Sequence, residues 1–151
     1  MQPASHRVDV SILMPTLNER RWIREAIRGM QAQQFDGTLE LIVADGGSTD
    51  GTREIVREVA RSDPRIRLVD NPRRGTASGL NVCLREARGA YVARMDAHTI
   101  YPPRYVSTGV ERLTRGDVAW VAGPQEPHGA TPFSRAVAAA LRSRLGTGGS
   151  R

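Results

Sequence analysis

The chain has 151 residues, 39% hydrophobic and only 5% aromatic, with a single cysteine and a formal net charge of +6. A chain of this length buries roughly 70% of its unfolded surface, so one domain with a core of Val, Ile, Leu and Ala is expected, and the lone Cys83 excludes an internal disulfide framework. Arg supplies every basic residue, spread from Arg7 to Arg151 with only short doublets at 20–21 and 73–74, so the charge reads as solvated surface and argues against a nucleic-acid partner.

Residues 8–14 are rich in β-branched and aliphatic side chains, close at Pro15-Thr16 and predict a first strand. Over 19–33, Trp22, Ile23, Ala26, Ile27 and Met30 recur at helical spacing with arginines opposite, which predicts a helix with Asn18 as N-cap and Glu19 in its first turn. Residues 39–44 predict a second strand. It runs into the polar segment Asp45-Gly46-Gly47-Ser48-Thr49-Asp50-Gly51-Thr52, after which Ile55, Val56 and Val59 mark a helix that Ser62-Asp63-Pro64 ends. Residues 65–70 predict a third strand, Asn71-Pro72 a turn, and 79–87 a helix with Leu80, Cys83, Leu84 and Ala87 inward. Residues 90–95 predict a fourth strand ending at Asp96. Beyond it, 102–113 predicts a proline-started helix, 118–122 a further strand, and 131–145 a helix capped by Thr131 with Pro132 first; 146–151 reads as a flexible tail by composition.

This β-α-β-α-β-α-β order predicts an α/β fold with a Rossmann-like, mostly parallel sheet flanked by helices on both faces. Ligands of such sheets bind at the carboxyl ends of the strands. The unusual polar clusters fall there: 15–19, 45–50, 71–75 and 96–98. Their convergence on one crevice is the main argument for a binding site.

Each cluster has a plain alternative. Asp50 and Thr52 fit helix capping best. Asp45 differs, because a carboxylate at the end of a buried strand needs a partner, and a nucleobase N–H is one that would serve. The segment lacks the Gly-Lys-Ser/Thr of a phosphate loop and the G-x-G-x-x-G spacing of dinucleotide folds, which weighs against ATP and nicotinamide. Asp96-Ala97-His98 places two ligands two residues apart, on one side of an extended strand. A carboxylate and an imidazole suit Mn²⁺ or Mg²⁺ completed by phosphate oxygens and water, whereas a turn cap and an ordinary loop histidine are the simpler reading. Arg73-Arg74 could clamp a diphosphate or merely decorate a turn. His6 and His128 are lone loop histidines, Trp22 is core or helix surface, and Cys83 is a small buried hydrophobe.

Taken together and in order, residues 11–19 (SILMPTLNE), 40–52 (ELIVADGGSTDGT), 71–81 and 94–98 (RMDAH) resemble the family 2 glycosyltransferases of the GT-A fold, and the likeness runs from about residue 9 to 145. The RMDAH form followed by Tyr-Pro-Pro, with the later Gly-Pro…Thr-Pro-Phe stretch, is most similar to the bacterial succinoglycan and exopolysaccharide branch. The resemblance implies a nucleoside-diphosphate sugar, commonly a UDP-sugar, as donor, and a saccharide or lipid-linked acceptor attacked with inversion. It implies that Pro15, Thr16 and Glu19 hold the nucleoside, that Asp45 meets the base, and that Arg74 and Asn81 lie near the donor. Asp96 and His98 match the D-x-D motif, Asp96 beside ribose and diphosphate and His98 on a divalent metal, Mn²⁺ or Mg²⁺. His in place of the last Asp is the departure from that motif. The family's base lies well downstream, so Asp117 and Glu126 are assigned no role, the general base is expected beyond residue 151, and the chain is expected to be the N-terminal, donor-binding part of a larger domain, incomplete at its C-terminus.

Two other classes compete. A binding-only fragment would hold nucleotide and transfer nothing. A nucleotidyltransferase wants a glycine-rich basic loop after the first strand, and 15–19 is not one. A start without a signal-peptide core and no apolar run near the roughly 18 residues of a membrane span predict a cytoplasmic chain, with room for peripheral docking at the inner face of the membrane.

Overall fold

The computed structural model describes residues 8–123 and 131–142. Four strands, β1 (Val10–Thr16), β2 (Leu39–Asp45), β3 (Ile66–Asp70) and β4 (Tyr91–Arg94), form one sheet in the order β3-β2-β1-β4. Every pairing is parallel, with Val10 opposite both Leu39 and Tyr91. Between and beyond them lie α1 (Ile23–Gln31), α2 (Thr52–Ser62), α3 (Thr76–Glu86), α4 (Tyr105–Leu113) and α5 (Pro132–Arg142).

Alternation along the central strands sorts the core into two layers, because successive strand side chains leave opposite faces. Val10, Ile12 and Met14 of β1 with Leu39, Leu41 and Val43 of β2 pack against Ile23, Ile27 and Met30 of α1, Val56 of α2 and Val106 of α4. Leu13, Ile42 and Ala44 face the other way, onto Cys83 of α3. Both faces of β1 and β2 are thereby covered, which is why these two strands read as continuous apolar runs.

The α/β expectation holds, with several local differences. Helix α1 starts at Ile23, not at Glu19. Asn18 is not its cap: it has φ 57°, and its side-chain oxygen accepts from Thr49 N–H across the neighbouring loop. Helix α3 starts three residues early, at Thr76, and Leu84 is half exposed rather than inward. Helix α4 starts at Tyr105, because each residue before Pro102 and Pro103 is steered away from helical backbone. Residues 118–122 form no strand. Trp120 there is exposed, and Val121 rests beside Gly109 of α4. His6, Glu126, His128 and the 146–151 tail lie outside the described residues.

Candidate functional site

The chain lays down β1, β2 and β3 on one side and then returns to place β4 on the other side of β1. Strand order therefore reverses between β1 and β4, and the loops leaving their carboxyl ends must diverge, opening a crevice there. A cleft of about 460 Å³ occupies that point. Pro15, Thr16, Leu17 and Glu19 line it from the end of β1, Arg94, Asp96 and His98 from the end of β4, and Asn71, Arg74, Gly75 and Thr76 from the loop joining β3 to α3. Sequence positions about eighty residues apart meet directly: His98 Nδ1 lies 3.1 Å from Glu19 Oε1.

The cleft is strained and interlocked at its rim. Among the described residues Asn18 and Arg74 are the non-glycine residues with positive φ, 57° and 62°, a conformation that needs support from its surroundings. For Asn18 those surroundings are two hydrogen bonds, its N–H to Ser48 Oγ at 2.8 Å and Thr49 N–H to its Oδ1 at 2.9 Å. Beside them Glu19 N–H donates to Thr52 Oγ1 and Arg20 N–H to Asp50 Oδ2, each at 2.9 Å. Arg74 Nε donates to Gly46 O at 3.0 Å, and a side chain at Gly46 would come within 3.0 Å of Arg74 O. Three strand-end loops are thus tied into one body. Thr16 Oγ1, in the cleft wall, is buried without a hydrogen-bond partner among the described residues. Such an orphaned buried hydroxyl is rare in a native fold.

Asp45 sits beside the cleft, outside its lining, with a fully buried side chain. It has protein partners already: Gly47 N–H at 3.0 Å, Ser48 N–H at 2.9 Å, Ser48 hydroxyl at 2.5 Å and Arg53 Nη1 at 2.8 Å. Burial alone would raise its pKa, but the hydrogen bonds from Ser48, Arg53 and Gly47 outweigh it and hold the carboxyl below its ordinary range. The partner that a strand-end carboxylate requires is therefore internal. Arg53, the second residue of α2, spans Asp45 and the exposed Asp70. Asp50 accepts from Thr52 N–H and hydroxyl, but the N-cap of α2 is Gly51 in left-handed backbone, φ 97°, so neither Asp50 nor Thr52 is the cap that was expected. Asn81 is exposed on α3 and does not line the cleft.

Asp96-Ala97-His98 lies in a turn, not on an extended strand: β4 ends at Arg94, and Thr99 N–H closes back on Asp96 O at 3.2 Å. Ala97 is buried while Asp96 and His98 both reach the cleft. Among the described residues no three His, Cys, Asp or Glu are grouped to hold a metal by themselves. The donors present, one carboxylate and one imidazole beside an open cleft, fit Mn²⁺ or Mg²⁺ only if ligand oxygens or water complete the shell. Asp96 Oδ1 is bonded to Arg94 Nε at 2.8 Å, which raises the Arg94 pKa and leaves Oδ2 of Asp96 without a hydrogen-bond partner among the described residues. Arg94 and Arg53 were not singled out by sequence reasoning. Arg94 lay two residues before Asp96, and that proximity was the available signal; for Arg53, one arginine among many, there was none. A smaller groove of about 230 Å³ between α1 and α2 carries Arg24 and Glu58, which pair with each other, and nothing reactive.

A family model described as glycosyl transferase family 2 matches residues 11–145. The chain is 37% identical over 142 residues to the succinoglycan biosynthesis protein ExoA of Rhizobium meliloti, covering 93% of this chain and 43% of that protein. A mannosyltransferase from Pyrobaculum calidifontis, solved with GDP-Man and Mn²⁺, superposes with TM-score 0.58 and 38% identity over 66% of this chain and 30% of its own. Glucosyl-3-phosphoglycerate synthase from Mycobacterium tuberculosis, solved with Mn²⁺, UDP and glucosyl-3-phosphoglycerate, gives TM-score 0.56 and 29% identity over 73% of this chain and 41% of its own. The chain spans less than half the length of each of these proteins.

Proposed function

The chain belongs to glycosyltransferase family 2, and on that footing we propose that its cleft binds the nucleoside-diphosphate part of a sugar donor, commonly a UDP-sugar. The observation that carries the reading is the orphaned Thr16 hydroxyl in a cleft flanked by Asp96 and His98, at the point where strand order reverses. Pro15, Thr16 and Glu19 would hold the nucleoside, Arg74 would face the diphosphate, and Asp96 with His98 would hold Mn²⁺ or Mg²⁺. When bound, that ion neutralises charge on the departing diphosphate. Asp45 would act from beside the cleft, meeting a base edge only if Ser48 turns away from it, and Asn81 would approach the donor only through movement of α3. His98 must likewise release Glu19 if Nδ1 is the ligating nitrogen.

In this reading the chain is the donor half of a longer GT-A domain of an enzyme of bacterial surface or exopolysaccharide synthesis. The acceptor, a saccharide or a lipid-linked saccharide, would attack the anomeric carbon with inversion, its proton taken by a carboxylate beyond residue 151. Solved relatives with GDP-Man, UDP and Mn²⁺ support the donor class. A cytoplasmic location, with peripheral docking on the membrane through the rest of the protein, accords with a lipid-linked acceptor; no described helix is long and apolar enough to cross a membrane. A binding-only reading of these 151 residues has one observation in its favour: both carboxylates lining the cleft are engaged, Glu19 with His98 and Asp96 with Arg94.

Calorimetric titration of UDP, with GDP and dTDP as comparisons, in Mn²⁺ and in EDTA tests the proposal. UDP binding that needs Mn²⁺ and is lost in Asp96→Ala and His98→Ala is expected. A folded chain that binds no nucleotide in either condition refutes it, and turnover of a free UDP-sugar would remove the binding-only reading.

A further inference from the structure

The turn that carries Asp96 and His98 has a feature that neither the strand nor the cleft explains. At the end of β4 the last ladder bond is Met95 N–H to Leu13 O at 3.1 Å. Asp96 N–H leaves the ladder and would be unpaired, yet it donates to the phenol oxygen of Tyr101 at 2.8 Å. One peptide unit earlier, the carbonyl of Arg94 accepts from the hydroxyl of Tyr105 at 3.2 Å. The two rings pack on each other, centroids 4.7 Å apart and planes tilted by 54°, and both rest against the main apolar layer.

We infer that Tyr101 and Tyr105 are positioning residues, a paired aromatic strut that fixes the peptide flanking Met95 and so aims the Asp96 and His98 side chains into the cleft. The inference deepens, and rests on, the donor-and-metal reading of that cleft. Two rigid rings anchored in the core hold two backbone atoms on either side of a fully buried Met95, so the turn cannot rotate about its entry point without breaking both bonds. A turn closed only by the Thr99 N–H to Asp96 O bond would be free to pivot. A binding constellation tolerates errors of only about half an ångström, and its supporting groups usually decide whether it is met. Neither tyrosine lines the cleft, so neither is expected to touch the ligand.

The test uses Tyr101→Phe and Tyr105→Phe in the full chain, which keep both rings and the packing and delete only the hydroxyls. Two readouts are needed. In ligand-free protein, amide hydrogen exchange at 95–99 should speed up about tenfold in Tyr101→Phe, the opening equilibrium shifting by about 1.4 kcal/mol, while amides of β1 keep their rates. By titration, UDP affinity in Mn²⁺ should fall about tenfold while the value in EDTA stays that of the parent. Unchanged exchange, or faster exchange with the Mn²⁺-dependent gain intact, overturns the inference. A parent chain whose UDP affinity ignores Mn²⁺ is a different failure: it refutes the metal reading of the cleft and takes this inference down with it.

Discussion

Replacing Asp45 by Ala is a perturbation whose effect on stability and on function can both be worked from the structure. The substitution deletes the acceptor of two backbone N–H groups, of the Ser48 hydroxyl and of Arg53. The hydroxyl can rotate to another acceptor, and Arg53 keeps Asp70 and is itself one-fifth exposed, so these two losses are partial. The Gly47 and Ser48 N–H groups, on an exposed and a half-buried residue, can turn to water only in part. At about 1 kcal/mol for each of these two donors, with a small remainder from Arg53, the expected loss is about 2 kcal/mol. For a chain of this size each kcal/mol moves the midpoint by about 2–4 °C, so the thermal midpoint should fall by about 4–8 °C. Asp45→Asn retains one acceptor oxygen and should lose about half as much. Thermal melts followed by far-ultraviolet circular dichroism at neutral pH give both values. A midpoint for Asp45→Ala within about 2 °C of the parent refutes the reasoning, because it would mean that the buried carboxylate network contributes nothing. The same result matters for function: loss of nucleotide binding in Asp45→Ala is interpretable only at a temperature where the variant is folded.

Thr16→Val should leave the thermal midpoint unchanged or raise it, since the hydroxyl has no partner to lose, yet weaken UDP binding by about five- to tenfold; a midpoint drop with unchanged affinity would show that the hydroxyl serves the fold and not the ligand. Asp63, gripped by the Arg65 guanidinium and by Gln31 against the opposing effect of burial, has its carboxyl pKa lowered well below its ordinary 3.8. A carboxyl depressed in the folded state stabilises fully above its unfolded pKa, and that stability is lost as pH falls through the lower folded value. Urea midpoints measured from pH 6 downward should therefore decline below about pH 4, and more shallowly in Asp63→Asn; parallel declines would assign the acid limb to other groups. Gly89→Ala would bring its Cβ to 2.5 Å from Ser11 N and 2.8 Å from Val10 C, both backbone atoms of β1. Overpacking that cannot be relieved by a side-chain rotation should cost about 3 kcal/mol, read as a lowered urea midpoint, and a midpoint equal to the parent's would show that the loop before β4 shifts freely.

Much of the architecture was legible because burial and backbone geometry leave local periodic marks. Val10, Ile12 and Met14 alternate with Leu13 in the strand that both layers bury, and Ile23, Ile27 and Met30 recur at helical spacing in α1. These marks, with the β-α alternation, determined a parallel sheet and put the polar clusters at its carboxyl edge. The cluster residues 15–19, 71–75 and 96–98 indeed meet in one cleft. The misplaced features share one cause. Residues 118–122 have a strand's composition but join no sheet, Leu84 has a helix's inward spacing on a face left half exposed, and Asn18 has a cap's chemistry spent on a neighbouring loop.

What only the tertiary structure decided follows from strand order, which no local pattern encodes. Placing β4 against β1 brings His98 to Glu19 and puts the buried Thr16 in the wall of the cleft. Placing α2 beside the end of β2 lets Arg53 reach Asp45 and fill the role that a ligand was expected to fill. The return of Tyr101 to Asp96 is likewise a product of where the chain turns after β4. Sequence fixes which side of each element faces the core, because a residue's hydrophobicity is its own property. It does not fix which loops become neighbours, because that depends on the summed packing of every element between them.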